Sequence, residues 1–166
     1  RDKYHARDAH PKFFAQDTDF GVLIGARRET GEDLHYWRYN LFLMPFYNMA
    51  PAGIESKNAH AWVPIDDESC MRWSFTWRAD RSLSRQEVLS MAHGSGIHPE
   101  MIAGTHVPVR NKSNDYLIDR EEQRNVTYTG IHGTGEQDFA VQEGMGTISD
   151  RTHEHLGITD IGIIRM

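Results

Sequence analysis

Met71-Arg72-Trp73-Ser74-Phe75-Thr76-Trp77-Arg78 alternates apolar and polar side chains at every step. A period of two places Met71, Trp73, Phe75 and Trp77 on one side of an extended chain and Arg72, Ser74, Thr76 and Arg78 on the other. Only an antiparallel sheet readily keeps one face packed and the other wet, so the segment predicts a half-buried antiparallel sheet. Residues 59–65 supply a partner strand across the turn Asp66-Asp67-Glu68-Ser69. Further upstream, residues 34–44 read as a longer strand with Trp37, Tyr39, Leu41 and Leu43 on one face, Arg38 and Asn40 on the other, and Pro45 as its stop. Residues 11–28 form another hairpin, with Phe13-Phe14-Ala15-Gln16 and Val22-Leu23-Ile24-Gly25-Ala26 flanking Asp17-Thr18-Asp19-Phe20-Gly21.

Downstream of Asp80 the pattern changes. Ser84 is placed to cap a helix carrying Val88, Leu89 and Met91, which Gly94-Ser95-Gly96 and Pro99 then break. Residues 97–130 are weakly patterned and read as a long loop at the rim of a cavity, with a helical turn over 115–123. A long helix is predicted over 136–155, ended by Gly157. Asp138, Val141, Met145 and Ile148 share one stripe of that helix, which sets a carboxylate among methyl groups. Strands first and a long late helix afterwards give an α+β fold, a curved antiparallel sheet with the helix lying across it.

The chain has 166 residues, 39% of them hydrophobic, which suffices for one domain with a core. A net charge of −6 and a pI near 5.9, with no basic cluster interleaved with aromatics, argue against a nucleic-acid surface. No apolar run approaches the roughly 20 residues that span a bilayer. The single cysteine, Cys70, can form neither an internal disulfide nor a Cys-based zinc site. It fits a reducing cytoplasm and, lying in a strand, is expected to be a buried inert thiol. Polar sequence opens the chain at Arg1 and an apolar segment, 161–166, closes it, so we expect a piece of something longer, incomplete at its N-terminus.

Asp138 is the sharpest chemical feature. A carboxylate facing an apolar stripe costs several kcal/mol unless it is paired, protonated or bound to a metal. In the first turn of a helix it also suits the dipole and can simply be solvated, so both readings stand on the residues alone. His153 and His155 point about 200 degrees apart on a helix and read as a surface pair. Gly130-Ile-His-Gly-Thr-Gly135 lacks the spacing of a nucleotide fingerprint and is not read as one. Trp62, Trp73, Trp77 and Phe75 suit core filling better than a ligand pocket. In Asp2-x-x-His5-x-x-x-x-His10 the two histidines, with Asp138, would make a two-histidine, one-carboxylate iron set, but the segment is polar and Pro11 follows directly, so the spacing reads as chance.

Six ordered blocks carry a resemblance: Tyr36-Trp-Arg38, Leu43-Met-Pro-Phe-Tyr47, His60-Ala-Trp-Val-Pro-Ile-Asp-Asp-Glu68, Asn114-Asp-Tyr-Leu-Ile-Asp-Arg120, Gln137-Asp-Phe-Ala-Val-Gln-Glu143 and Asp150-Arg-Thr-His-Glu-His-Leu156. Together they resemble the oxygenase (alpha) subunit of Rieske non-haem iron aromatic ring-hydroxylating oxygenases, most closely the phthalate 4,5-dioxygenase type and relatives acting on phenoxybenzoate. The resemblance implies the C-terminal part of a catalytic domain with a START-like helix-grip fold. It carries the carboxylate ligand of mononuclear iron(II) onto Asp138, with Gln137 and Gln142 as hydrogen-bonding partners around the ligand set. The family's two histidine ligands lie on an apolar helix well before its Asp-Thr-Asp-x-Gly strand, whereas here Asp17-Thr18-Asp19-Phe20-Gly21 follows His10 almost at once. Both imidazoles are therefore expected upstream of Arg1. The paired Cys-x-His and Cys-x-x-His motif of the two-iron two-sulfur Rieske cluster is absent, as a single cysteine requires.

For the intact protein the resemblance implies electrons passing from a reductase through the Rieske cluster to the mononuclear iron, across the subunits of a trimer. Dioxygen would there hydroxylate or oxidatively cleave an aromatic substrate, in a cavity shaped by the aromatic strands and the 97–130 loop. The isolated chain is expected to be inactive, with no nucleic-acid or membrane partner. Two other classes fit the same layout: a metal-free START-like module binding an apolar ligand, and a piece that chiefly supplies subunit contacts.

Overall fold

Each strand of the chain pairs with the next one in sequence. The computed structural model describes residues 8–31, 33–51 and 55–166. Its sheet runs β1 (Lys12–Thr18), β2 (Gly21–Gly31), β3 (Leu34–Leu43), β4 (Tyr47–Met49), β5 (Ser56–Pro64) and β6 (Cys70–Arg78), all antiparallel and in that order. With the helices described below, the fold is α+β as predicted. Both predicted hairpins and the 34–44 strand are present, and the short β4 is an addition. Gly21 shows why the first hairpin closes where it does. Its φ is +144° and a Cβ there would lie 2.2 Å from the Phe42 carbonyl oxygen, so the close approach of β2 to β3 admits only glycine.

The chain divides into two compact units, the first comprising Arg1–Asp66, Cys70–Ala79 and Asp150–Met166, the second Asp67–Ser69 and Asp80–Ser149. In the first unit the register places Phe14, Gly25 and Tyr39 in line across β1, β2 and β3. Trp37 stacks on Tyr39 with ring centroids 5.7 Å apart and planes 2° from parallel. A Cβ on Gly25 would come within 3.0 Å of Trp37, so the glycine makes room for that stack. On the opposite face Val22 is buried, and His60 is buried with its Nδ1 3.1 Å from Ser74 Oγ. On that side too, Trp62 donates from Nε1 to Asn48 Oδ1 at 3.1 Å, and Thr76 donates to Asn58 Oδ1 at 2.8 Å.

The alternation of β6 is real, but its polarity differs from expectation. Trp73, Phe75 and Trp77 are exposed, at 51%, 46% and 38%, while Arg72, Ser74, Thr76 and Arg78 are half-buried. The hydrogen bonds from Ser74 and Thr76 to β5 draw the polar face inward. Trp62 pairs in register with Arg72, so it points away from Trp73, Phe75 and Trp77, and the four rings share neither a core nor a pocket face. Cys70 opens β6 beside the turn and is exposed, which corrects the buried-thiol expectation.

The C-terminal segment returns to the sheet. Its last helix, α4 (Ile161–Arg165), packs on β1 and β2, where a Cβ on the buried Gly162 would fall 2.3 Å from Ile24 Cδ1. Arg165 Nη1 meets Asp17 Oδ2 at 2.7 Å.

The second unit holds α1 (Arg85–Ala92), α2 (Arg120–Asn125) and α3 (Thr134–Gly144). Ser84 closes a capping box on α1: its Oγ accepts from Glu87 N–H at 3.2 Å, and Glu87 Oε2 accepts from Ser84 N–H at 2.7 Å. Arg81 grips the same carboxylate at 2.7 and 2.8 Å and holds it well below the usual range. The stretch expected to be loop contains a short β-bridge, Met101 to Pro108, and two tight turns over Lys112–Leu117 before α2.

The helix predicted over 136–155 is corrected. It runs Thr134–Gly144 and stops because Gly146 turns left-handed at φ +91°. Met145 N–H and Gly146 N–H bond to Gln142 and Glu143 carbonyls, which tightens the final turn. Asp150 then caps a separate turn, Arg151–His153.

Candidate functional site

Helix α3 carries Asp138, and its sides behave opposite to the apolar-stripe reading. Val141 is 67% exposed, Met145, just past the last helical residue, is 62% exposed, and Ile148 lies further beyond the helix end at 69%. The buried members of α3 are Gly135 and Glu136, with Glu136 only 2% exposed. Asp138 is half-buried. The buried carboxylate of this helix is therefore two residues upstream, at Glu136.

Glu136 is the third residue of α3 and turns back over the helix start. Its Oε1 accepts from Glu100 N–H at 3.3 Å, and its Oε2 is enclosed and makes no hydrogen bond among the described residues. The fold leaves space for it by glycine. A Cβ on Gly133 (φ +86°) would sit 2.0 Å from Oε2, and one on Gly94 (φ +84°) would sit 3.3 Å from Oε1. Gln137 donates from Nε2 to the Ile131 carbonyl at 2.8 Å. Gln142 is exposed.

The far end of α3 is tied by a tyrosine in an unusual backbone. Asp115, Tyr116 and Leu117 are three successive non-glycine residues in the left-handed region, at φ 49°, 54° and 50°. Each costs roughly 1–2 kcal/mol for an L-residue, so neighbouring bonds must hold the turn. They do: Asn111 N–H donates to Asn114 Oδ1 at 3.0 Å, Asn114 Nδ2 to the Val109 carbonyl at 2.8 Å, and Tyr116 N–H to the Asn111 carbonyl at 2.9 Å. The turn buries the Tyr116 ring and brings its hydroxyl to donate to Glu143 Oε2. Burial first, and then that bond to the carboxylate, push the Tyr116 phenol up to about 12.

At the start of α3, Asp119 caps α2 by accepting from Glu121 and Glu122 N–H, each at 2.9 Å, and these two bonds hold its carboxyl below the usual range. The Asp119 N–H donates to the Gly130 carbonyl at 2.9 Å, and Gly130 (φ +64°) brings the chain so close that a Cβ would lie 2.3 Å from the Asp119 carbonyl oxygen. The Gly130–Gly135 loop is thus a helix-to-helix connection, in keeping with its rejection as a phosphate loop. His132 Nε2 is 2.9 Å from Glu122 Oε2.

The structure brings together few of the residues singled out from sequence. His153 lies on the Arg151–His153 turn with its Nδ1 3.8 Å from Asp150, and His155 is exposed beyond that turn; neither is on a long helix. His10 is exposed with its N–H on Asp8, while Asp2 and His5 fall outside the described residues. Among the described residues no group of three or more His, Cys, Asp and Glu side chains is placed to hold a metal ion. Asp138 belongs to no such group. Sequence reading missed Glu136 and Tyr116. Glu136 sits off the apolar period, and nothing in Asn114-Asp115-Tyr116-Leu117 announces three left-handed residues; the only local hint is Gly133, three residues before a glutamate.

With this geometry in hand, comparison with known proteins is decisive on family. Residues 4–166 match the family model described as LigXa C-terminal domain like. The chain belongs to that family. This LigXa C-terminal-like chain is similar to the 3-chlorobenzoate-3,4-dioxygenase oxygenase subunit of Comamonas testosteroni, at 33% identity over 98% of the chain and 40% of that protein. It is similar to the phthalate 4,5-dioxygenase oxygenase subunit of Pseudomonas putida at 28% identity, over 95% of the chain and 36% of that protein. A third relative, the 5,5'-dehydrodivanillate O-demethylase oxygenase subunit of a Sphingobium species, is 32% identical over 61% of the chain and 18% of its own length. The chain thus spans well under half the length of the curated relatives it matches. Among the described residues no helix is long and apolar enough to cross a membrane.

Proposed function

We propose that this LigXa C-terminal-like chain is the C-terminal portion of the catalytic domain of a Rieske-type oxygenase subunit, START-like in its helix-grip arrangement, acting on an aromatic acid of the phthalate or phenoxybenzoate kind. The observation that carries the reading is similarity over 98% and 95% of the chain to two aromatic dioxygenase oxygenase subunits. Asp138, half-buried on a helix anchored at both ends, is proposed as one carboxylate ligand of mononuclear iron(II), with its two histidine partners on sequence upstream of Arg1. Iron(II) bound there would supply the centre at which dioxygen is reductively activated. The chain's own part is to hold the Asp138 carboxylate in a fixed direction. Gln137 contributes by fastening the first turn of α3 to the Ile131 carbonyl. The proposal includes a reductase as electron donor, a Rieske cluster outside this chain, a trimeric assembly and a cytoplasmic location.

Two uncovered apolar surfaces support the reading of a part rather than a self-sufficient module. Trp73, Phe75 and Trp77 in one unit, and Val141 and Met145 in the other, expose hydrocarbon that a larger catalytic domain would cover. The test is iron content and aromatic oxygenation in the full-length subunit, wild type beside Asp138→Ala. The proposal expects the variant to lose mononuclear iron while keeping its cluster. Unchanged iron and unchanged oxygenation would sink it.

A further inference from the structure

Helix α3 is held near both ends through Glu136 and Glu143, and Asp138 lies on the side turned away from those two residues. Glu136 and Glu143 are seven residues apart, close to two full turns, so they lie one above the other. Glu136 is bonded to Glu100 N–H and Glu143 to the Tyr116 hydroxyl, which fixes that side at both ends. Asp138 is two residues after Glu136 and therefore points about 160 degrees away. Any turning of the helix about its axis moves that carboxylate directly. At a side-chain radius of about 5 Å, a rotation of about 10 degrees shifts it by nearly 1 Å, against a tolerance of roughly 0.5 Å for a metal or catalytic group.

We propose that Tyr116 is a positioning residue for Asp138: its hydrogen bond to Glu143 fixes the rotation of α3, and with it the direction of the Asp138 carboxylate. The inference rests on the reading of Asp138 as an iron ligand. Three features of the fold support it. The phenol is delivered by three consecutive left-handed residues, a conformation that plain packing of a ring does not require. The turn that bears it is held by its own network of asparagine bonds, so the hydroxyl is a fixed point rather than a mobile one. The bond joins a phenol donor to a carboxylate acceptor, a pairing stronger than one between two neutral groups.

The test uses the full-length subunit and two readouts, the dissociation of iron(II) against a chelator and the electron paramagnetic resonance spectrum of the iron(II) site with nitric oxide as probe. Tyr116→Phe keeps the ring and removes the hydroxyl. It is expected to loosen iron by about tenfold or more, as loss of a residue orienting a ligand does, and to broaden the spectrum. Glu143→Gln retains an oxygen acceptor for the hydroxyl and should restore near wild-type values, while Tyr116→Phe combined with Glu143→Ala should be no worse than either change alone. If Tyr116→Phe does not yield folded subunit, Glu143→Ala is read by the same measurements. Wild-type iron affinity and spectrum in the variant without the hydrogen bond would overturn the inference, even if thermal stability fell. Asp138→Ala in parallel separates the two levels: iron retained there sinks the ligand reading, whereas iron lost there and unchanged in Tyr116→Phe sinks only the positioning role.

Discussion

Gly133→Ala should open the start of helix α3, because two independent costs meet at that atom. Gly133 has φ 86° and ψ 133°, a region that L-residues avoid at about 1–3 kcal/mol. The new Cβ would also lie 2.0 Å from Glu136 Oε2 and 2.7 Å from its Cδ, so the carboxylate must swing away and release Glu100 N–H. A hydrogen bond to a charged group is worth about 1.5–3 kcal/mol. Together they come to roughly 2.5–6 kcal/mol, or about two to four orders of magnitude in the local opening equilibrium. Native-state hydrogen exchange of the α3 amides in the full-length subunit measures this, with the β2 and β3 amides as internal reference. Glu136→Ala should remove the hydrogen-bond part alone. The double variant should cost less than the two singles added, because the steric conflict disappears with the carboxylate. Exchange of α3 unchanged in Gly133→Ala, or strict additivity in the double variant, would refute the claim that the glycine exists to seat Glu136.

Further outcomes are expected elsewhere. Gly162→Ala should overpack α4 against Ile24 by about 1–3 kcal/mol, and Ile24→Ala in the same chain should recover part of it, read as exchange protection of β1 and β2. Ser84→Ala removes the cap of α1 and should cost about 1 kcal/mol, visible as faster exchange confined to that helix. The raised phenol of Tyr116 gives a pH signature. Below its ordinary value of 10.0 the hydroxyl is protonated folded and unfolded alike, and its contribution is full. As pH rises from there towards about 12 the unfolded chain releases its proton first, so stability falls with pH. Alkaline unfolding of Tyr116→Phe should lack that portion of the decline. Glu87 has the opposite sign: held low first by Arg81 and then by Ser84, its contribution is present above the ordinary value of 4.5 and fades as pH drops below it, and Arg81→Met should remove the largest part of that acid dependence.

The sheet was largely legible because a period of two and punctuating turns are local signals. Residues 34–44 became Leu34–Leu43, and the alternation of 71–78 emerged as β6. Which face of that alternation would be covered was not legible. Burial was inferred from hydropathy, yet Ser74 and Thr76 have cross-strand partners in His60 and Asn58, whereas Trp73 and Phe75 sit opposite alanines that cover little. The same inference misled at α3. A stripe of Asp138, Val141, Met145 and Ile148 was counted through Gly144 and Gly146, although a left-handed glycine ends a helix wherever it falls. The ligand reading of Asp138 came from block resemblance rather than from that stripe. Glu136 and Tyr116 could not be seen in advance, since their importance depends on Glu100 and Glu143, 36 and 27 residues away in sequence.

A sheet in which every strand pairs with its sequence neighbour also dictates an order of events. Each hairpin of β1 to β6 needs only nearby chain, so the meander can assemble progressively as it is synthesised, with low loop-closure cost at each step. Its cover cannot. Gly162 seats against Ile24, and Arg165 meets Asp17 across 148 positions of chain, so the face holding Val22 and Ile24 stays open until the second unit has been made in between. During that interval the nascent sheet presents hydrocarbon to its surroundings, which makes the waiting time for the C-terminal segment, rather than strand pairing, the period in which misassembly competes with folding.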